Sequence, residues 1–344
     1  MKKLHDVSLI YVFSPGNSTT GGIELLHQLV DYLRNQKQKA YIYYYNDPSA
    51  HIPDAYQKYN ISVTTTIEDA ENNVIVLPEI CFHLSKNYTH TQTVLWWLSV
   101  NNYYHQEKRH IPLHEIFSYS RTYGLKQIWH RIAGLFLLQW RFKTDFSIKD
   151  SIDKEYIHAY QSEYAKRHLQ ERGVSNLYPL KDYINTAFIS NETCRNKKPA
   201  ILYNPKKGLK FTRKLMKAAP DLKFIPLQNL SRTALQEILS GSALYIDFGN
   251  HPGMDRLPRE AAVNGCCIIT GRQGAAQNDI DIPIPVEYKF DERTASVQGI
   301  TQQIRSILAD YESHTIHFET YRNRIKREQE TFYKQIDNLF QLNT

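Results

Sequence analysis

The sequence predicts an α/β protein built from two Rossmann-like, doubly wound domains that face a cleft. The chain has 344 residues, 42% of them hydrophobic, which is enough for two cores. Its beginning reads as strand, glycine-rich loop, helix and strand, which is a βαβ unit. After a polar, pattern-free stretch at 185–199, the alternation of strands and helices starts again. We therefore place an N-terminal domain at 1–185 and a C-terminal domain at 186–344.

The first domain begins with a strand and a helix joined by a glycine-rich turn. The helix starts near Ile23, because apolar side chains then recur at every third or fourth position. A second helical stretch covers about 151–172 and ends at Gly173, since glycine favours the left-handed backbone that closes helices. Short apolar runs predict the strands, at 8–13, 40–45, 73–79 and 93–99.

The segment 125–143 is both aromatic and basic. Its uncharged core of nine residues, IAGLFLLQW, is too short to span a bilayer, which takes ~20 residues. The composition is typical of a helix in a membrane interface, and equally of a helix buried between other elements. The N-terminus reads as a strand rather than a signal peptide. We therefore expect a cytoplasmic protein. The helix at 125–143 can hold this protein at the inner face of the membrane.

The second domain repeats the alternation of strands and helices and ends in a charged helical tail from about residue 300. Its apolar runs predict strands at 200–204, 222–227, 243–248 and 266–271. Its amphipathic stretches predict helices at 210–219, 231–242 and 258–265.

Composition narrows the class of partner. The net charge of +7 suits phosphorylated small molecules, an anionic membrane surface or nucleic acid. No DNA- or RNA-binding motif occurs, so we do not expect nucleic acid as a partner. The four cysteines have neither the spacing of metal ligands nor that of a disulfide framework, so we expect no metal site.

The turn after the first strand contains Gly21 and Gly22, directly before a helix. Glycines let backbone amides approach a ligand, and the N-terminus of a helix favours anions. The pattern is neither a dinucleotide fingerprint nor a P-loop, so a flexible loop without a ligand is the alternative.

A basic turn, Asn204-Pro205-Lys206-Lys207-Gly208, follows the first strand of the second domain. Lysines at the carboxyl end of a strand can hold a diphosphate as point charges. A solvated basic turn is the alternative interpretation.

The stretch 247–262 carries the strongest signal. A strand runs into a loop dense in polar residues, and a helix then opens with Pro258 near its first position. Glu260, expected in the first turn of that helix, is well placed to bind sugar hydroxyls. A plain helix start does not explain His251, Asp255, Arg256 and Arg259 in the same loop, which favours a functional site. In the following turn, the amides of Gly274 and Ala275 are expected to cap phosphates.

The two-domain layout, the Gly-Gly turn, Lys-Lys-Gly after the first strand of the second domain, and Pro-x-Glu-Ala-Ala-x-x-Gly before an apolar strand resemble GT-B glycosyltransferases. The likeness is to retaining, nucleotide-sugar-dependent enzymes and to bacterial relatives encoded with surface polysaccharide genes. It implies that Gly21 and Gly22 lie at the donor–acceptor junction, that Lys207 binds the donor diphosphate and that Glu260 binds the nucleotide ribose. It also implies that no bound metal is required.

Two positions depart from that family pattern. Asn204 or its neighbours stand where an arginine is usual, and Pro252 stands where a second glutamate is usual. His251 or Asp255 would then contact the transferred sugar.

We therefore expect a metal-independent glycosyltransferase that moves a sugar from a nucleotide-sugar donor to a glycan or lipid-linked glycan in bacterial surface polysaccharide synthesis. Two alternatives with the same fold are a catalytically silent binding partner in a glycan-assembly complex and a nucleotide-sugar epimerase. Glu79 and Asn101 are expected on the acceptor side of the first domain. The expected catalytic residues are His251, Asp255 and Glu260. The expected donor-binding residues are Gly21, Gly22, Asn204, Lys206, Lys207, Asn250, Gly253, Arg256, Arg259, Gly274 and Ala275.

Overall fold

The computed structural model describes residues 2–47, 49–106, 148–189 and 197–342. The chain divides into two compact units, Met1–Asp182 together with Glu330–Thr344, and Tyr183–Gln329. The helix expected at 125–143 lies outside the described residues. Among the residues that are described, no helix is both long enough and apolar enough to cross a bilayer.

The first unit is built on a seven-stranded sheet in which every neighbouring pair is parallel, in the order β3-β2-β1-β4-β5-β6-β7. The strands are β1 (Leu9–Ser14), β2 (Ala40–Tyr44), β3 (Val63–Thr64), β4 (Asn73–Pro78), β5 (Gln92–Trp97), β6 (Ile157–Tyr160) and β7 (Leu177–Pro179). The helices are α1 (Gly21–Asn35), α2 (Val100–Gln106), α3 (Ile148–Asp153) and α4 (Glu163–Gln170).

The single helix expected at 151–172 is wrong, because strand β6 interrupts it. This strand pairs with β5, and its His158 is buried, with Nδ1 accepting a hydrogen bond of 2.9 Å from Trp97 Nε1. His158 is polar and lies inside this four-residue strand, so the sequence lacks the unbroken apolar run that would have predicted a strand here. Gly173 does have the expected left-handed backbone, with φ +81°.

The second unit is built on a five-stranded parallel sheet in the order β12-β11-β10-β8-β9. Its strands are β8 (Lys198–Tyr203), β9 (Phe224–Pro226), β10 (Ser242–Asp247), β11 (Cys267–Gly271) and β12 (Lys289–Phe290). The helices that follow in the chain are α5 (Leu209–Ala218), α6 (Arg232–Gly241), α7 (Arg256–Val263), α8 (Val297–Ala309), α9 (Tyr311–Thr315), α10 (Glu319–Lys326) and α11 (Glu328–Phe340). Two parallel α/β sheets confirm the predicted fold class.

The end of the chain belongs to the first unit, although we expected the whole tail in the second domain. Within helix α11, Phe332 stacks on Trp96 and Tyr333 stacks on Tyr32, with ring centroids 6.3 Å and 4.1 Å apart. Tyr32 also donates a hydrogen bond of 2.8 Å to Asp337 Oδ1. The aromatic side chains of this helix therefore complete the packing of the first unit.

The strand order reverses at one point in each sheet. In the first sheet, β1 is followed on one side by β2 and on the other by β4. In the second sheet, β8 lies between β9 and β10. Ligands of open parallel sheets bind beyond the carboxyl ends of the strands at such reversal points. A ligand-binding site is therefore expected at the loops after β1, β4, β8 and β10.

Candidate functional site

The site of the second unit lies at the reversal point between β8 and β10. Lys207 follows β8, and Asp247 is the last residue of β10. The loop after β10 adds His251 and Asp255, which precede helix α7. Four ionisable side chains, one from the end of a strand and three from two separate loops, thus meet at the carboxyl edge of one sheet.

The ammonium group of Lys207 holds this cluster together. Its Nζ lies 3.0 Å from Asp247 Oδ1 and 3.3 Å from His251 Nδ1, and it donates a short hydrogen bond to Asp255 Oδ2. His251 Nδ1 is in turn 3.2 Å from Asp255 Oδ2. His251 and Asp247 are buried, so these contacts are made largely out of water.

The charges in the cluster stabilise one another. Burial by itself lowers the pKa of Lys207, but Asp247 and Asp255 outweigh burial and raise that pKa above its usual value. Burial opposes ionisation of Asp255, yet Lys207 and His251 hold the pKa of this carboxyl well below its usual range. Lys207 and Asp255 are therefore both charged near neutral pH.

The same side chains also present the geometry of a cation site. One ligand atom each from Asp247, His251 and Asp255 lies within 4.8 Å of the other two. The Lys207 ammonium contacts all three residues, so the protein places its own cation among them.

Two glycines bring the loops together. Gly208, the residue before α5, has φ +62°, and a Cβ there would lie 2.1 Å from the carbonyl oxygen of Phe248. Gly274 also has φ +62°, and a Cβ there would lie 2.0 Å from the carbonyl oxygen of His251. Larger residues would separate these loops.

The side chain of Asn204 helps to shape the first loop, because its Oδ1 accepts a hydrogen bond of 3.0 Å from the amide of exposed Lys206.

The loop after β11 packs against the loop after β10, but not as expected. The amide of Ala275 donates a hydrogen bond of 2.8 Å to the carbonyl of His251, and Ala275 is buried. This amide is therefore used inside the protein, whereas we expected it to cap a phosphate. Gly274 forms an isolated parallel bridge with His251. Gly253 is buried and Asn250 half-buried in the same loop.

Helix α7 begins earlier than the sequence indicated. Arg256 is its first residue and Asp255 precedes it, so Pro258 is the third residue and Glu260 the fifth. Glu260 therefore lies beyond the first turn, where the stabilisation of a carboxylate by the helix dipole is weaker. Its side chain is nearly buried, with 7% exposed.

Arg259 has a structural contact that the sequence did not indicate. Its guanidinium is buried and forms an ion pair of 2.9 Å with Glu328. It also donates a hydrogen bond of 2.8 Å to the carbonyl oxygen of Met254. Binding a phosphate through Arg259 would require this buried pair to open. Arg256 is half-buried at the start of the same helix.

In the first unit, Gly21 and Gly22 are the first two residues of α1 rather than part of the preceding loop. Glu79 directly follows β4 on the other side of the reversal point and is buried. Its Oε2 accepts a hydrogen bond of 3.1 Å from the amide of Leu98, and burial raises its pKa to about 7. Asn101 is half-buried in α2.

The sequence analysis gave no role to two carboxylates of the second unit. Asp247 is the last residue of the buried strand β10. It directly follows SALYI, so the sequence itself shows an acidic residue at the end of a strand. Glu292 follows β12 and contacts the loop after β10. The amide of Gly249 in that loop donates a hydrogen bond of 2.5 Å to Glu292 Oε1. Nothing local in the sequence marks Glu292, because its neighbours in space are about 20 and 40 positions away in the chain.

No protein-family model matches the chain, and no curated protein matches it in sequence. Solved structures do match. Sucrose-phosphate synthase from Thermosynechococcus elongatus superposes with a TM-score of 0.58 at 12% identity, covering 97% of this chain and 98% of that one. HepE from Anabaena in complex with UDP-glucose superposes with a TM-score of 0.55 at 10% identity, covering 95% of this chain and 97% of that one.

TarM from S. aureus, solved with fondaparinux, α-GlcNAc-glycerol and UDP, gives a TM-score of 0.53 at 12% identity. That match covers 80% of this chain and 56% of the TarM chain. These proteins are GT-B glycosyltransferases, and the chain described here has their fold.

Proposed function

We propose that the protein is a glycosyltransferase that moves a sugar from a nucleotide-sugar donor to a glycan or lipid-linked glycan in bacterial surface polysaccharide synthesis. The observation that carries this proposal is the charged cluster around Lys207. It lies at the reversal point of the second sheet, in a GT-B fold, where open α/β sheets bind their ligands.

The donor diphosphate binds at the loop 204–208 and the start of helix α7. Lys206 is exposed in this loop and supplies a positive charge directly. Lys207 is a cation between Asp247 and Asp255, which raise its pKa, and its charge stabilises the phosphate that leaves. Arg256 adds a third positive charge from the first residue of α7. Glu260, four residues further along the helix, binds the ribose.

Donor binding requires no metal ion. Because the Lys207 ammonium contacts Asp247, His251 and Asp255, a metal ion at these residues would have to displace it. The positive charge that phosphate departure needs is supplied by side chains of the protein.

The acceptor belongs to the first unit, near the start of α1 and the end of β4. The structures of HepE with UDP-glucose and of TarM with UDP and α-GlcNAc-glycerol are consistent with a nucleotide-sugar donor and a glycosylated product. The basic and aromatic segment 125–143 would hold the enzyme at a membrane surface that carries a lipid-linked acceptor.

A thermal-shift screen tests the proposal. Nucleoside diphosphates and nucleotide sugars are added to the full chain, once with EDTA and once with Mg²⁺. A ligand of the folded state raises the apparent melting temperature by mass action. We expect one nucleotide class to stabilise the protein equally with and without the metal. Stabilisation only with Mg²⁺ would contradict metal independence, and stabilisation by none would contradict a donor site.

A catalytically silent binding partner is the second candidate. Lys207 already contacts Asp247, Asp255 and His251, and Pro252 stands where the glycosyltransferase pattern has a glutamate. A radiolabelled donor assay separates the two candidates. An active enzyme transfers or slowly hydrolyses the sugar, whereas a silent partner binds the nucleotide sugar and leaves it intact.

A further inference from the structure

Glu292 is a half-buried carboxylate at the same sheet edge as the Lys207 cluster, and the proposed function gives it no role. It lies two residues after β12, at the far edge of the five-stranded sheet, and reaches back to the loop after β10. A side chain that crosses the ends of β11 and β10 lies over the surface where a ligand of this sheet would bind.

The carboxylate is held by one of its two oxygens. Oε1 accepts a hydrogen bond of 2.5 Å from the amide of Gly249 and one of 3.3 Å from Gln273 Nε2. Gly271 makes room for it, because a Cβ at that position would lie 2.8 Å from Oε1. Among the described residues, Oε2 has no hydrogen-bond partner. One oxygen is therefore anchored while the other remains able to accept hydrogen bonds.

The electrostatic surroundings decide which ligand this second oxygen suits. Burial raises the pKa of Glu292, and the negative charges of Asp291 and Asp247 raise it further, while the Gly249 amide and His251 act in the opposite direction. The hydrogen-bond partners of Glu292, Gly249 and Gln273, are both neutral, so a phosphate beside Glu292 would meet the negative charge of this carboxylate without a paired cation such as Lys207. Neutral hydroxyl groups, which donate hydrogen bonds to a carboxylate, meet no such repulsion.

We propose that Glu292 binds hydroxyl groups of the donor's sugar, with Oε1 fixed by Gly249 and Gln273 and Oε2 accepting from the ligand. Glu292 is then a specificity-determining residue that selects the polyhydroxyl part of the donor, while the Lys207 loop binds the phosphates. This inference rests on the proposed function, because it requires a nucleotide sugar at this edge of the sheet. The hydroxyls belong to either the transferred sugar or the ribose, and the experiment separates these two sources.

The test compares Glu292→Gln with wild type by isothermal titration calorimetry. The probes are UDP, GDP and ADP and their glucose derivatives UDP-glucose, GDP-glucose and ADP-glucose. Glutamine keeps a carbonyl oxygen for the Gly249 amide but loses the charge that strengthens bonds from hydroxyls. If the hydroxyls belong to the transferred sugar, we expect the nucleotide sugar to bind about tenfold more weakly or worse, with the nucleoside diphosphate unaffected. If they belong to the ribose, both ligands weaken equally.

Glu287→Gln is the matched control, because Glu287 is an exposed carboxylate just before β12 and the substitution is the same. Glu292→Asp is the second variant; its shortened side chain keeps the charge but should lose the reach to the ligand. Wild-type binding of a nucleotide sugar with unchanged affinities in both Glu292 variants would overturn this inference alone. Failure of the wild type to bind any of the probes would overturn the proposed function, and this inference with it.

Discussion

Lys207 Nζ lies 3.0 Å from Asp247 Oδ1, and this ion pair joins the loop after β8 to the end of β10. The two strands are neighbours in the sheet. Only 1% of the Asp247 side chain and 13% of the Lys207 side chain are exposed, so neither charge is well solvated. The pair therefore fixes the position of the loop that we propose for the donor diphosphate, and each charge depends on its partner.

Replacing Lys207 with methionine should destabilise the protein by about 3 kcal/mol or more, because the substitution leaves Asp247 buried without its cation. Urea denaturation of the purified variant measures this free energy of unfolding. The double variant Lys207→Met with Asp247→Asn should recover part of the loss, since the orphaned charge is then also removed.

Lys206→Met is the matched control for stability. Lys206 is exposed in the same turn, so its removal should change the free energy of unfolding by less than about 0.5 kcal/mol. Equal destabilisation by both substitutions would mean that the turn itself, and not the buried ion pair, accounts for the effect.

Glu260→Ala should weaken nucleotide binding about tenfold or more without unfolding the protein, because we propose that this carboxylate binds the ribose hydroxyls. Affinity for the nucleotide found in the thermal-shift screen is measured by calorimetry, and folding by circular dichroism. Glu237→Ala, at an exposed position of α6, provides the control. Unchanged affinity in folded Glu260→Ala would remove this residue from the site.

The sequence predicted the fold well where the signal is local. Strand β1 and the strand that ends in Asp247 each contain an unbroken apolar run, and each lies close to its expected position. Strand β6 was missed because a buried histidine, His158, interrupts a run of only four residues. Its burial depends on Trp97, 61 positions away, which donates to the imidazole.

For the candidate site, the sequence identified residues but not their partners. His251, Asp255 and Lys207 were selected from two loops, and the structure brings all three into contact. The start of α7 was placed two residues late, because Pro258 suggested a first position that Arg256 takes. The role of Arg259 could not be seen, since its partner Glu328 is 69 positions away.

Arg259→Met should destabilise the protein by about 3 kcal/mol, because it removes the buried guanidinium that pairs with the buried carboxylate of Glu328. The double variant Arg259→Met with Glu328→Gln should be more stable than the single variant, as measured by urea denaturation. In both variants, the folded protein should bind nucleotide with wild-type affinity. A large loss of affinity in the stabilised double variant would instead assign Arg259 to phosphate binding, as the sequence first suggested.

Glu79 should make the stability of the protein depend on pH. Burial raises its pKa in the folded state from 4.5 to about 7, so the folded protein binds a proton here in a pH range where the unfolded chain does not. The stabilisation from this proton is fully present below the unfolded pKa and is lost as the pH rises through about 7. The difference between the two pKa values corresponds to about 3 kcal/mol.

Glu79→Gln removes this titration. The free energy of unfolding of the variant, relative to wild type, should therefore increase by about 3 kcal/mol between about pH 4 and about pH 9. Urea denaturation at a series of pH values measures it. Glu171→Gln, at an exposed position of the same unit, should show no such trend. Parallel pH profiles for Glu79→Gln and wild type would mean that Glu79 ionises in the folded protein as it does in the unfolded chain, and that its contact with the Leu98 amide offsets the cost of burial.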